Sequence, residues 1–170
     1  STNAALKFLM KRLPYDQDTA FVPVGFLGSV PLMIAVNNDV PAKTLKEFVD
    51  LAKAKPGQVS FAYASTSQQV SSEMLASMAG IRMTHIPYRG GAGPAIGDLL
   101  SNQVEVMFVT ISSAAEHVKG GALKAYAVTS KDRVASLPNV PTMLEQGYPD
   151  NVSTSWQGLF ALTGTPKPIV

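Results

Sequence analysis

Leu32-Met33-Ile34-Ala35-Val36-Asn37-Asn38-Asp39-Val40-Pro41-Ala42-Lys43-Thr44-Leu45 changes character twice in a short space. Its five leading apolar residues, with no polar alternation, suit a β-strand buried on both faces. Asn37-Asn38-Asp39 ends that strand. Pro41 and Thr44 then open a helix, with Thr44 as N-cap and Glu47 as the third-residue partner of a capping box. Leu45, Phe48, Val49 and Ala52 fall on one helical face, and Lys55-Pro56-Gly57 stops the helix. A doubly buried strand feeding an amphipathic helix is the building unit of a layered α/β fold.

The same alternation continues down the chain. Val59 to Tyr63 reads as a strand, Ala64 to Gln69 as a polar turn, and Val70 to Met78 as a helix closed by Gly80. Met83 to Ile86 is a strand running into Pro87-Tyr88-Arg89-Gly90-Gly91. Pro94 to Leu100 is a helix with proline in its first turn. Val104 to Val109 is a strand, Ser112 to Val118 a short helix, and Leu123 to Val128 another strand. Trp156 to Leu162 is a last strand candidate. At least three helices thus follow strand ends after short polar turns. In open α/β sheets ligands bind at those carboxyl ends, where helix N-termini present unpaired N–H groups and partial positive charge.

Composition narrows the chemistry. Of 170 residues, 46% are hydrophobic, enough for a sizeable core, while Lys+Arg 14 against Asp+Glu 12 leaves a net charge of only +2. Such a balance gives no broad field for nucleic acid or an anionic membrane surface. There are no cysteines, which excludes disulfides, thiolate metal sites and cysteine nucleophiles. No apolar run approaches the ~20 residues that cross a bilayer, and Ser1 to Leu6 carries no signal-peptide pattern.

Three segments are candidates for anion binding. Ser65-Thr66-Ser67-Gln68-Gln69 places hydroxyls and amides at a helix start, where they either bind a carboxylate or simply cap the helix. Tyr88-Arg89-Gly90-Gly91 combines a cation with glycines that let backbone N–H groups approach a ligand, or is a flexible loop before a helix. It lacks the Gly-Lys-Ser/Thr ending of a phosphate loop. Thr110, Ser112 and Ser113 follow a strand and either close the same cleft or cap the next helix. His85 and His117 have no metal-spaced partner and read as structural or surface residues. Glu73 and Asp98 read as solvated helix carboxylates, and the methionines as core fillers. No Gly-x-Ser-x-Gly elbow occurs, which weakens a hydrolase reading.

At these motifs the chain resembles the tripartite tricarboxylate transporter receptors, the Bug family of periplasmic solute-binding proteins. Leu13-Pro14-Tyr15-Asp16 followed by Phe21-Val22-Pro23-Val24 is similar to the family's entry segment. Tyr63-Ala64-Ser65 leads its ligand loop, and Thr84-His85-Ile86-Pro87-Tyr88-Arg89-Gly90 resembles its His-(Val/Ile)-Pro-Tyr-Lys-Gly. Gly120 to Ser130 resembles a Gly-x-Leu-Arg-x-Leu-Ala-Val-Thr-Ser strand. Arg133, Leu137 to Thr142, Glu145 and Gly147 form a further signature, and Trp156-Gln157-Gly158-Leu159 with Gly164-Thr165-Pro166 a closing segment. Two departures stand out. The loop after Ser65 lacks the family's Gly-x-Gly stretch, and Arg89 replaces the commoner lysine, which keeps the charge but changes its geometry.

The resemblance implies a two-lobed Venus-flytrap fold of the type II periplasmic-binding-protein kind, present here mostly as domain 2. Residues 1–30 would be partial domain 1 and hinge, 31–151 the α/β ligand-binding lobe, and 152–170 the return segment. Family members extend further at both ends, so a fragment is expected. The implied ligand is a small mono- or dicarboxylate, held by Ser65, Thr66, Ser67, Gln68, Tyr88, Arg89, Gly90, Gly91, Thr110 and Ser112. The implied partner is a membrane permease, the location periplasmic, and neither cofactor, metal, nucleic acid nor catalysis is expected. Two other readings remain: an α/β enzyme acting on a small anionic metabolite, and a sensing accessory that presents its ligand-bound state to a signalling protein.

Overall fold

The computed structural model describes residues 12–169, so the first part of the expected 1–30 segment and Val170 lie outside the described residues. Among the described residues, six strands and four helices follow in order: β1 (Phe21–Asn37), α1 (Leu45–Ala54), β2 (Ser60–Tyr63), α2 (Thr66–Ala79), β3 (Thr84–Pro87), α3 (Ala92–Leu100), β4 (Val106–Thr110), α4 (Ile111–Lys119), β5 (Leu123–Val128) and β6 (Thr154–Leu162). The sheet order is β3-β2-β4-β1-β5, with β6 paired to β1. β2 runs parallel to β3 and β4, whereas β1 is antiparallel to both β4 and β5. The carboxyl ends of β2, β3, β4 and β5 therefore lie along one edge.

Leu32 to Val36 is fully buried, as an unalternating apolar run requires. Its side chains divide between the two faces with the two-residue period of a strand. Leu32, Ile34 and Val36 pack with Leu45, Phe48, Val49 and Ala52 of α1 and Leu75 and Ala79 of α2. Met33 and Ala35 pack with Ala95, Ile96 and Leu99 of α3 and Ile111, Ala114 and Ala115 of α4. The result is three layers with the sheet in the middle. The Thr44 cap forms as expected: its Oγ1 accepts from the Glu47 N–H at 3.2 Å. Glu47 Oε2 in turn accepts from the Lys43 N–H at 2.7 Å.

Two boundaries differ from the sequence reading by more than two residues. α2 begins at Thr66, not Val70, because Ser65-Thr66-Ser67-Gln68 is itself a capping box. Ser65 Oγ accepts from the Gln68 N–H at 3.5 Å, and Gln68 Oε1 accepts from the Ala64 N–H at 2.6 Å. The first half of α2 then buries Gln68, Ser71 and Ser72, so it has no apolar period to reveal it.

The second difference is the length of β1. It extends back from Leu32 to Phe21, with two register shifts beside Pro23, Gly25 and Gly28. Prolines and bulges of this kind are tolerated where a strand has a free edge. Among the described residues this early half pairs only with β6, from Phe21 opposite Leu162 to Pro31 opposite Thr154. Because Leu32 stands opposite Thr110, the β1–β6 ribbon leaves the sheet at the carboxyl edge. It carries exposed apolar side chains, including Phe26 at 70% and Leu162 at 66%.

Both ribbon strands are tied to the lobe by one buried polar cluster. Thr129 Oγ1 accepts from the Leu32 N–H at 2.9 Å and donates to the Ser153 carbonyl at 2.6 Å. Ser71 and Ser153 hydroxyls meet at 2.7 Å, and Asn151 Nδ2 donates to the Ser71 carbonyl at 3.1 Å.

Candidate ligand-binding site

The three candidate segments sit side by side. They follow β3, β2 and β4, which are neighbours in the sheet, and all three leave the same edge. The first two are joined directly, since the Tyr88 N–H donates to the Tyr63 carbonyl at 2.8 Å.

Each segment leads into a helix N-terminus, but the three ends differ. At α2 the Ser65, Ser67 and Gln68 side chains are engaged with one another and with local backbone: the Ser65 and Ser67 hydroxyls lie 3.1 Å apart, and Gln68 is buried. Thr66 is half-buried beside them. α3 is different. Its N-cap is Gly91, with φ 90° and ψ −171° and no side-chain cap. That backbone geometry is essentially reserved for glycine, and it leaves the first-turn N–H groups of Ala92 and Gly93 without an internal side-chain acceptor. α4 likewise has no side-chain cap bond at Thr110. The Thr110 hydroxyl meets Ser113 Oγ at 2.7 Å, and Ser112 is exposed. Two open helix ends on one edge form an anion-favouring surface.

Arg89 is exposed between them and forms no salt bridge among the described residues. Gly90 is exposed and Gly91 half-buried. Tyr88 is half-buried against the core on the α3–α4 face, and its hydroxyl donates to Asp98 Oδ2 at 2.6 Å. Burial, then the Asp98 hydrogen bond and charge, push the Tyr88 hydroxyl up to about 12. Asp98 is thus not the free helix carboxylate the sequence suggests. Its partner lies in the preceding loop, and no local pattern predicts that pairing. Glu73 also has a partner: its Oε1 lies 2.9 Å from His85 Nε2. His85 additionally packs edge-on against Phe61 at 4.5 Å, which fits its structural reading.

Elsewhere, a cavity of about 230 Å³ lies beside Asp39, Val59 and Glu105. Those residues follow β1 and precede β2 and β4, so the cavity is at the opposite edge of the sheet from the three loops. No cluster of three His, Asp or Glu side chains fit to hold a metal occurs among the described residues. No helix among them is long and apolar enough to cross a membrane.

Residues 1–170 match the family model described as the tripartite tricarboxylate transporter family receptor. The chain belongs to this family. It is 37% identical over 165 residues to Protein BugT of Bordetella pertussis, covering 95% of this chain and 50% of that protein. It superposes on the periplasmic binding protein BugD with a TM-score of 0.85 at 36% identity, covering 91% of this chain and 52% of that one. It superposes on MatC from Rhodopseudomonas palustris with bound malate with a TM-score of 0.89 at 32% identity, covering 98% and 56%. The fold is accordingly that of a periplasmic binding protein, as the motifs implied. The chain spans about half the length of the curated relatives it matches.

Proposed function

We propose that this chain is the ligand-capturing lobe of an extracytoplasmic solute-binding receptor for a small mono- or dicarboxylate, serving a tripartite tricarboxylate-type transporter, and that it performs no catalysis. The observation that carries this reading is the convergence of the Ser65–Gln68, Tyr88–Gly91 and Thr110–Ser112 segments on one sheet edge. There the α3 and α4 ends are open, and Arg89 is exposed without an ion pair among the described residues. The bound malate of MatC, at 32% identity, supports a dicarboxylate as the ligand class.

In this reading one carboxylate takes the N–H groups of Ala92 and Gly93 and the Arg89 guanidinium, whose planar fork matches two carboxylate oxygens. Hydroxyls of Thr110 and Ser112 take its other lone pairs. The backbone N–H groups of Ser65, Thr66 and Ser67 and the Thr66 hydroxyl contribute from the adjacent turn, while the paired Ser65 and Ser67 hydroxyls and Gln68 support that turn from within. The β1–β6 ribbon is the hinge, residues 31–151 are one lobe, and closure of a second lobe over this edge buries the ligand. The closed form then docks on a membrane permease. Calorimetric titration of the full-length protein with malate and a panel of mono- and dicarboxylates tests the reading. Saturable binding to at least one acid is expected; no heat from any of them up to millimolar concentrations overturns it.

A further inference from the structure

Tyr88 stands in the proposed ligand loop, yet its hydroxyl is already committed. It donates to Asp98 Oδ2 at 2.6 Å, and Asp98 lies two turns along α3 from the loop. The same residue is held by its backbone, since the Tyr88 N–H donates to the Tyr63 carbonyl at 2.8 Å. Its ring packs with the core on the α3–α4 face. Between Tyr88 and the first residue of α3 only Arg89, Gly90 and Gly91 remain. Two of these are glycines, which lose the most conformational freedom when a loop is ordered. The closing bond within this stretch is weak, with the Gly91 N–H 3.4 Å from the Tyr88 carbonyl. The stretch therefore relies on what fixes its two ends. The α3 helix holds one end directly at Gly91, and through Asp98 it holds the other at Tyr88.

We infer that Asp98 is a positioning residue for ligand binding: by accepting the Tyr88 hydroxyl it braces the Arg89–Gly91 loop, so that Tyr88 acts by holding the loop and not by contacting the ligand. This rests on the proposed carboxylate site for its functional meaning, but the bracing itself is measurable without any ligand. A carboxylate acceptor is the strong form of such a bond. It also engages the Asp98 charge on the protein's own hydroxyl, so that this charge faces a donor at a surface meant for anions.

The test compares Asp98→Ala, Tyr88→Phe and Asp98→Asn by amide hydrogen exchange on the 170-residue chain. Asp98→Ala and Tyr88→Phe remove the bond, whereas Asp98→Asn keeps an acceptor oxygen in place. Exchange at Tyr88 and Gly91, the loop amides that donate to carbonyls, is expected to rise roughly 10- to 150-fold in the first two, the factor that follows from losing one hydrogen bond to a charged group. It should stay near the wild-type rate in Asp98→Asn, and the amides of β4 and α4 should not change. Unchanged exchange in both Asp98→Ala and Tyr88→Phe overturns the inference. So does a uniform rise throughout β4 and α4, which would mean general destabilisation. Malate titration of the full-length protein then reads the functional consequence: weaker binding in Asp98→Ala, restored in Asp98→Asn. If wild type binds no carboxylate, the receptor reading falls while the exchange result still decides the brace.

Discussion

Replacing Thr129 with valine removes one hydroxyl from the point where both ribbon strands enter the lobe. Thr129 is fully buried. Its Oγ1 accepts from the Leu32 N–H at 2.9 Å and donates to the Ser153 carbonyl at 2.6 Å. Its backbone donates to the Leu32 carbonyl at 2.8 Å, and its carbonyl accepts from the Ser153 N–H at 3.1 Å. The Leu32 N–H thus has a side-chain acceptor where a regular ladder would supply a carbonyl. Valine has the same shape but no acceptor, so that N–H is buried and unpaired. An orphaned buried donor costs about 1–3 kcal/mol. The Ser153 carbonyl is half-buried and adds less, because water reaches it. Thr129→Ser is the control: it keeps the hydroxyl and loses one methyl, worth about 0.8 kcal/mol. Urea unfolding followed by circular dichroism, with the m value checked for constancy, should rank Thr129→Val as the less stable of the two. A Thr129→Val variant within 0.5 kcal/mol of wild type, the scatter of neutral surface changes, would refute the reasoning.

Arg89→Ala should leave stability unchanged, because Arg89 is exposed and has no ion pair among the described residues. It should weaken carboxylate binding about 10- to 150-fold in calorimetric titration, the loss of a bond to a charged group of about 1.5–3 kcal/mol; Arg89→Lys should recover part of it. Gly91→Ala introduces a Cβ that meets nothing within 4 Å, so its cost is backbone strain alone. Unfolding should register about 1–3 kcal/mol, and a neutral outcome would show that the φ of 90° is not required. Alkaline stability provides a titration test. Burial, then the charge of Glu47, raise the Tyr126 hydroxyl to about 12. Its contribution is intact below the unfolded value near 10 and is lost as pH rises toward 12, because the unfolded state ionises first. In that window the slope of unfolding free energy against pH should be shallower in Tyr126→Phe, by up to about 1.4 kcal/mol per pH unit.

The α1 segment was legible throughout because every signal in it is local. The Thr44 cap, the Glu47 partner and the buried face of Leu45, Phe48, Val49 and Ala52 all depend on neighbours within a turn or two. The start of α2 carries the same capping pattern at Ser65 and Gln68, yet periodicity misplaces it. Gln68, Ser71 and Ser72 are polar residues on the inward face; Gln68 and Ser72 are satisfied within the first turns, and Ser71 by Ser153, far away in the chain. The candidate site divides in the same way. The glycines of the Tyr88–Gly91 loop and the hydroxyls after β4 mark strand-end turns by composition. The Tyr88–Asp98 bond crosses from loop to helix, so neither residue announces it. Glu73 and His85 meet only because α2 folds back beside β3.

The amino-acid sequence alone determined the α/β class, the run of buried strands with amphipathic helices, and the family, because those rest on short-range periodicity and ordered motifs. Tertiary structure decided the rest. β1 inserts antiparallel between β4 and β5, and its first half peels away with β6 as a ribbon. That arrangement depends on pairings between residues 70 to 141 positions apart, from Val36–Val106 to Phe21–Leu162, which no local propensity encodes. It also sets β3, β2 and β4 as neighbours, and so gathers three separate loops, each readable only as a turn, onto one edge with two open helix ends.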